Sequence, residues 1–195
     1  FRLPQWEGMT LGEKVLASLF QSVTPRTAGY NTVDLTQLTE SSQLVMILLM
    51  LIGGAPGSTA GGFKVTTAAV FFLAARAVFR RREDLQSFGR RLPVETLRSA
   101  SAILLMYVGL FLLGGMAISC VEGVPLLAAL FETASAIGTV GLTLGLTPEL
   151  EGISRMILIF LMYFGRVGGL TLIYAVLPDS AAVPAQMPQE RINVG

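Results

Sequence analysis

The chain has 195 residues, 52% hydrophobic and only 14% charged, with a net charge of +1 and a mean hydropathy of +0.65. Soluble domains carry about 25% charged residues, so the composition places this chain in the membrane class. With one cysteine (Cys120) and no histidine, an internal disulfide is impossible, and zinc sites and Ser-His-Asp chemistry are excluded.

The chain opens at Phe1-Arg2-Leu3-Pro4, with no start methionine and no signal peptide, as expected of a piece of a longer protein. Residues 11–24 form a short amphipathic stretch. A spanning helix needs about 20 apolar residues, and segments of about 10–14 read as buried or re-entrant helices. A polar loop follows, Thr27-Ala28-Gly29-Tyr30-Asn31. Residues 43–79 are long and apolar enough to span, but GGAPGSTAGG interrupts them over Gly53–Gly62. A connecting loop is expected over 80–98, then a second span over 99–120. Residues 125–137 form another short stretch, and 138–143 a second loop. A third span is expected over 153–177, with Gly165 interrupting it, and a tail over 178–195.

Arginines orient these elements. Arg76, Arg80, Arg81, Arg82, Arg90, Arg91 and Arg98 cluster between the first and second spans, whereas the stretches around 31–42 and 144–152 hold acids and no base. By the positive-inside rule, segment 76–98 and the C-terminal tail are cytoplasmic. The loops at 27–31 and 138–143 then lie toward the outside. A nucleic-acid patch is rejected for the arginines because apolar spans flank them.

The chain repeats itself. Leu16-Ala17-Ser18-Leu19-Phe20 matches Leu127-Ala128-Ala129-Leu130-Phe131, and each match precedes a loop with a central glycine. Gly53 follows Gly29 by 24 positions, and Gly165 follows Gly141 by 24. Each unit reads as short helix, glycine loop, spanning helix. The second unit also has a leading span, 99–120. The first has none after Phe1.

Non-helical backbone at membrane depth is tolerated only inside protein or along a water-filled cavity. Its unpaired carbonyls suit a dehydrated monovalent cation, as in potassium channels, whose TVGYG loops aim carbonyl oxygens at the ion. Thr27-Ala28-Gly29-Tyr30 and Thr139-Val140-Gly141-Leu142 fit that pattern for four residues each; the channel's last glycine is replaced by Asn31 and Thr143. That substitution predicts a shorter or less regular row of ions. In the interrupted span, Gly53, Gly54, Gly57, Gly61 and Gly62 surround Pro56, which cannot donate to a helix ladder. Ser58 and Thr59 add hydroxyls. Arg166 lies in an apolar span, where a charge costs at least about 2.5–3.5 kcal/mol and is functional by default. Lys64 has two readings, snorkelling or assisting a gate. Trp6 and Tyr107 read as interface or packing aromatics.

The strings SVTPRTAGYNTVDL, LIGGAPGSTAGGFKVTT, SAIGTVGLTLGLTPEL and FGRVGGLTL resemble the Trk/Ktr/HKT superfamily of cation transporters, with a tail closer to the KtrB type. The resemblance implies an all-α integral membrane fold of tandem helix–pore-loop–helix units, four per complete chain. Residues 1–98 would be the third unit without its first helix, and 99–177 the fourth; the N-terminal half would be missing. It implies filter loops at Thr27, Ala28, Gly29 and Tyr30 and at Thr139, Val140, Gly141 and Leu142. It also implies a gate at Gly53, Gly54, Gly57, Ser58, Thr59, Gly61, Gly62 and Lys64, held by Arg166 through carbonyl contacts. The function implied is potassium uptake, with sodium as the second candidate ion, and no enzymatic activity. Implied partners are membrane lipid, a second copy in a homodimer, and a ring of cytoplasmic nucleotide-binding regulatory subunits of the KtrA/TrkA type. Two alternatives stand beside it. One is a sodium-selective carrier of the HKT type. The other is a membrane scaffold subunit whose glycines only pack helices.

Overall fold

The computed structural model describes residues 6–81, 85–87 and 89–168. About two thirds of them are helical. Helix α1 spans Leu11–Val23 and starts in a capping box: the Glu13 amide donates to Thr10 Oγ1, and the Thr10 amide donates to Glu13 Oε2. This reciprocal pair satisfies two of the amides that a helix start leaves unpaired. It also holds the exposed Glu13 carboxyl below the ordinary carboxylate range, the backbone bond at Thr10 being the main cause. Helix α2 spans Glu40–Leu51, is capped by Thr39, and buries Met46, Ile47, Met50 and Leu51. The chain then leaves the helix and resumes as α3 over Val65–Phe79.

Between α3 and the next helix, two-residue strands β1 (Gln86–Ser87) and β2 (Arg90–Arg91) form a small antiparallel hairpin. Helix α4 then runs through Val94–Glu122. The second span thus starts five residues earlier than the expected 99. Pro93, in an extended conformation, is the cap, and Arg98 belongs to the helix rather than to a loop. Its 29 residues give a length of about 43 Å, more than a hydrocarbon core of about 30 Å. Among the described residues it is the one helix long and apolar enough to cross a membrane.

Helix α5 (Leu126–Ile137) is the centre of the molecule. It contacts α2, α4 and α6 (Gly152–Val167) and buries Ala129 and every residue from Phe131 to Ile137. Small residues on α4 permit the close approach: a methyl group on Gly115 would lie 2.5 Å from Leu130 Cδ2. Helix α6 ends at Gly168, whose φ is +86°. The expected helix therefore stops at Val167, and residues 169–195, including the expected 169–177 and the tail, lie outside the described residues. Apolar side chains on the outer faces of α4 and α6, such as Leu105, Leu113, Ile153, Met156 and Phe160, are exposed. Contiguous apolar surface of this kind marks a contact with lipid or with more protein.

Candidate functional site

The two glycine loops are built alike. Each leaves a short helix and doubles back along it. At the first, the amides of Ala28 and Gly29 donate to the Thr24 carbonyl at 3.1 and 3.2 Å. At the second, the Val140 amide donates to the Ser135 carbonyl at 2.9 Å, and the Gly141 amide to Ser135 Oγ at 3.2 Å. In a trans peptide the N–H and the preceding C=O point in opposite directions. The carbonyls of Thr27 and Ala28 therefore point away from α1, and those of Thr139 and Val140 away from α5. Thr27 and Thr139 both take positive φ, +67° and +54°, uncommon for a residue with a branched side chain.

The loops also touch. Gly29, at φ +72°, lies so close to Val140 that a methyl group there would overlap the Val140 carbonyl oxygen. Gly141 has φ +92° and open space where its side chain would be. Tyr30 departs from the pattern. Its carbonyl accepts from the Thr24 hydroxyl at 2.5 Å and so turns toward α1. Leu142 is buried.

The Gly53–Gly62 segment folds back directly against the second loop. Its two ends pair: Gly53 donates to the Phe63 carbonyl at 2.8 Å, and Phe63 to that of Leu51 at 3.2 Å. Gly54 accepts from the Val65 amide. At the tip, Ser58 donates to the Ala55 carbonyl across Pro56 and Gly57, with Gly57 at φ +84°, the residue order of a type II turn. On its inner edge Gly61 donates to Thr139 Oγ1 at 3.0 Å, and Gly62 to the Ile137 carbonyl at 3.0 Å. A methyl group on Gly61 would lie 2.6 Å from Thr139 Cγ2 and 2.9 Å from the Gly138 carbonyl oxygen, so only glycine fits this contact.

Both candidate gate cations reach the segment's carbonyls. Arg166 Nη1 donates to the Thr59 carbonyl at 2.6 Å across 107 positions of sequence. Lys64 Nζ donates to the carbonyls of Ser58 at 3.1 Å and Ala60 at 2.7 Å. Helical capping cannot satisfy these carbonyls, because the chain is not helical there. Two cations meet three of them instead.

A cavity of about 570 Å³ runs between α5, the second loop and α6, from Glu132 to Arg166. Glu132 is the residue that sequence reasoning missed. It is 3% exposed, and Oε1 accepts from the Thr143 hydroxyl at 2.6 Å and the Leu144 amide at 2.9 Å. Its Oε2 accepts from the Thr147 hydroxyl. The available signal was an acid inside an otherwise uncharged short helix, followed by two threonines four positions apart, one ending the glycine loop and one beyond it. No group of three or more His, Cys, Asp or Glu side chains able to hold a metal occurs among the described residues.

Residues 7–183 match the family TrkH, described as cation transport protein. The potassium/sodium uptake protein NtpJ of Enterococcus hirae is 35% identical over 206 aligned positions, covering 100% of this chain and 46% of its own length. Ktr system potassium uptake protein B of Vibrio alginolyticus is 42% identical, covering 96% of this chain and 41% of its own. The chain thus spans less than half the length of these curated relatives. The crystal structure of the potassium transporter TrkH from Vibrio parahaemolyticus superposes with a TM-score of 0.75 at 23% identity, over 89% of this chain and 39% of that one. At that identity the likeness concerns the fold.

Proposed function

Since the chain belongs to the TrkH family of cation transport proteins, we propose that it forms half of a potassium-uptake path: two adjoining filter loops and the gate beneath them. The observation that carries this reading is the pair of loops whose carbonyls turn away from their supporting helices, meeting at Gly29 and Val140. Potassium is the substrate. It would shed water against the carbonyls of Thr27, Ala28, Thr139 and Val140, which replace its hydration shell. The relatives' names, potassium uptake and potassium/sodium uptake, support the choice of ion.

On this reading, residues 6–81 contribute one pore unit and 94–168 another, with α1 and α5 as pore helices and the Arg76–Arg98 segment cytoplasmic. The hairpin there carries Arg90 and Arg91 exposed, where a regulatory subunit or anionic lipid would dock. Homodimer formation belongs to the same proposal. Sodium has a specific claim as second substrate through the potassium/sodium name of the Enterococcus relative; glycine at both filter positions favours potassium.

The Gly53–Gly62 segment would close the path from below. Lys64 and Arg166 hold it shut through its carbonyls and repel cations. Arg166→Gln is expected to raise potassium uptake. A hydrogen bond to a charged group contributes about 1.5–3 kcal/mol, enough to shift a closed–open balance about tenfold or more. Uptake rates at matched membrane levels check this, and an unchanged or lower rate would remove Arg166 from the gate. The reading as a whole is tested by expressing the native full-length protein in a host lacking its own potassium uptake. Growth at low potassium supports it. Failure to grow, with the protein in the membrane, argues for the scaffold alternative.

A further inference from the structure

We propose that Glu132 is a positioning residue for ion selection, fixing the outer end of the second filter loop from behind. This rests on the filter reading and extends it to a residue outside the loops. The carboxyl group lies on α5, one turn before Ser135, and is buried. Ser135 holds the amides of Val140 and Gly141; Glu132 takes over where Ser135 can no longer reach, accepting from Leu144 N–H and the hydroxyls of Thr143 and Thr147. Because the Leu144 amide points at Glu132, the Thr143 carbonyl points the other way, as the carbonyls of Thr139 and Val140 do. Glu132 thereby sets the direction of the outermost of these oxygens. Thr143 stands where a potassium channel carries its last filter glycine, and its hydroxyl, donating to Glu132, also accepts from the Gly145 amide at 2.9 Å. The bend beyond the loop is therefore tied to α5 through one side chain.

The first loop has no such device. The residue in the matching place on α1 is Gln21. Its Nε2 donates to Met46 Sδ at 3.7 Å, and its Oε1 is buried without a hydrogen-bond partner among the described residues. The first loop is held instead by Thr24, which draws the Tyr30 carbonyl inward. The two loops thus present different oxygens at their outer ends, and Glu132 is the cause on the second.

The test uses the full-length protein and two readouts: competition of sodium against potassium-driven uptake, and the thermal midpoint of the detergent-solubilised protein in potassium chloride against sodium chloride. Glu132→Ala removes all three acceptor contacts. Glu132→Gln keeps one oxygen for Leu144 N–H. Thr147→Val removes one donor while leaving the carboxylate in place. Potassium preference is expected to fall about tenfold in Glu132→Ala, less in Thr147→Val, and to be partly restored in Glu132→Gln, with maximal uptake changing less than the preference. Should Glu132→Ala not fold, Thr147→Val and Glu132→Gln carry the same comparison. Unsubstituted protein that prefers potassium, together with variants that keep that preference, overturns the role of Glu132 alone. Unsubstituted protein without potassium preference in either readout overturns the filter reading and this inference with it.

Discussion

Gly29→Ala is expected to reduce potassium uptake at least about tenfold, the effect of about 1.4 kcal/mol on the ion path. Gly29 has φ +72°, and its missing side chain faces the Val140 carbonyl oxygen. Alanine there meets two costs. The left-handed backbone costs a residue with a side chain about 1–2 kcal/mol. The methyl group also displaces the Val140 oxygen, which the proposal places on the ion. The overlap is with backbone, so no rotamer change relieves it. Uptake at matched membrane levels checks the expectation. Retention of full, selective uptake by Gly29→Ala would show that the two loops do not jointly line the path.

Deleting residues 57–61 is expected to raise uptake about tenfold or more. The deletion removes the turn at Gly57, the Thr59 carbonyl that Arg166 holds, the Ser58 and Ala60 carbonyls that Lys64 holds, and the Gly61 bond to Thr139. Each neutral bond contributes about 0.5–1.5 kcal/mol and each bond to a charged group about 1.5–3 kcal/mol. A closed state favoured by a few kcal/mol loses that preference when these bonds go together. The segment's ends pair with each other through Gly53, Phe63 and Leu51, outside the deletion, so α2 and α3 keep their connection. Initial uptake rates provide the readout. A deletion that folds and transports at the unsubstituted rate would show that the segment is not a gate.

The local features of the fold were readable because each has a local cause. The amphipathic run of residues 11–24 marks α1, and glycines around Pro56 mark the interruption between α2 and α3. Helix α4 starts before the apolar window at 99 because Glu95 and Arg98 lower the hydropathy of its first residues. They do not spoil a helix, and Pro93 was the better signal. Gly168 likewise ends α6 although apolar residues continue beyond it. The contacts of the site have no local cause. Nothing in the spacing of residues 59 and 166 says that they meet; their contact was expected only through the family resemblance. That Glu132 is turned inward depends on the second loop running back along α5, a tertiary feature that the helix pattern does not encode. The inward turn of the Tyr30 carbonyl depends on the Thr24 hydroxyl, a side-chain choice that the T-x-G-x pattern also does not encode.

The central claim, that glycine loops select the cation, is tested most directly by comparing the native full-length protein with its Gly141→Ser variant in rubidium-tracer uptake competed by potassium and by sodium. At Gly141 the backbone stands at φ +92°, and beyond its chain neighbours no atom lies within 4 Å of where a side-chain carbon would sit, so serine fits in space and strains the loop rather than the packing. The result expected is strong preference for potassium in the native protein and a clear loss of it in the variant. Equal preference in both proteins would contradict the claim.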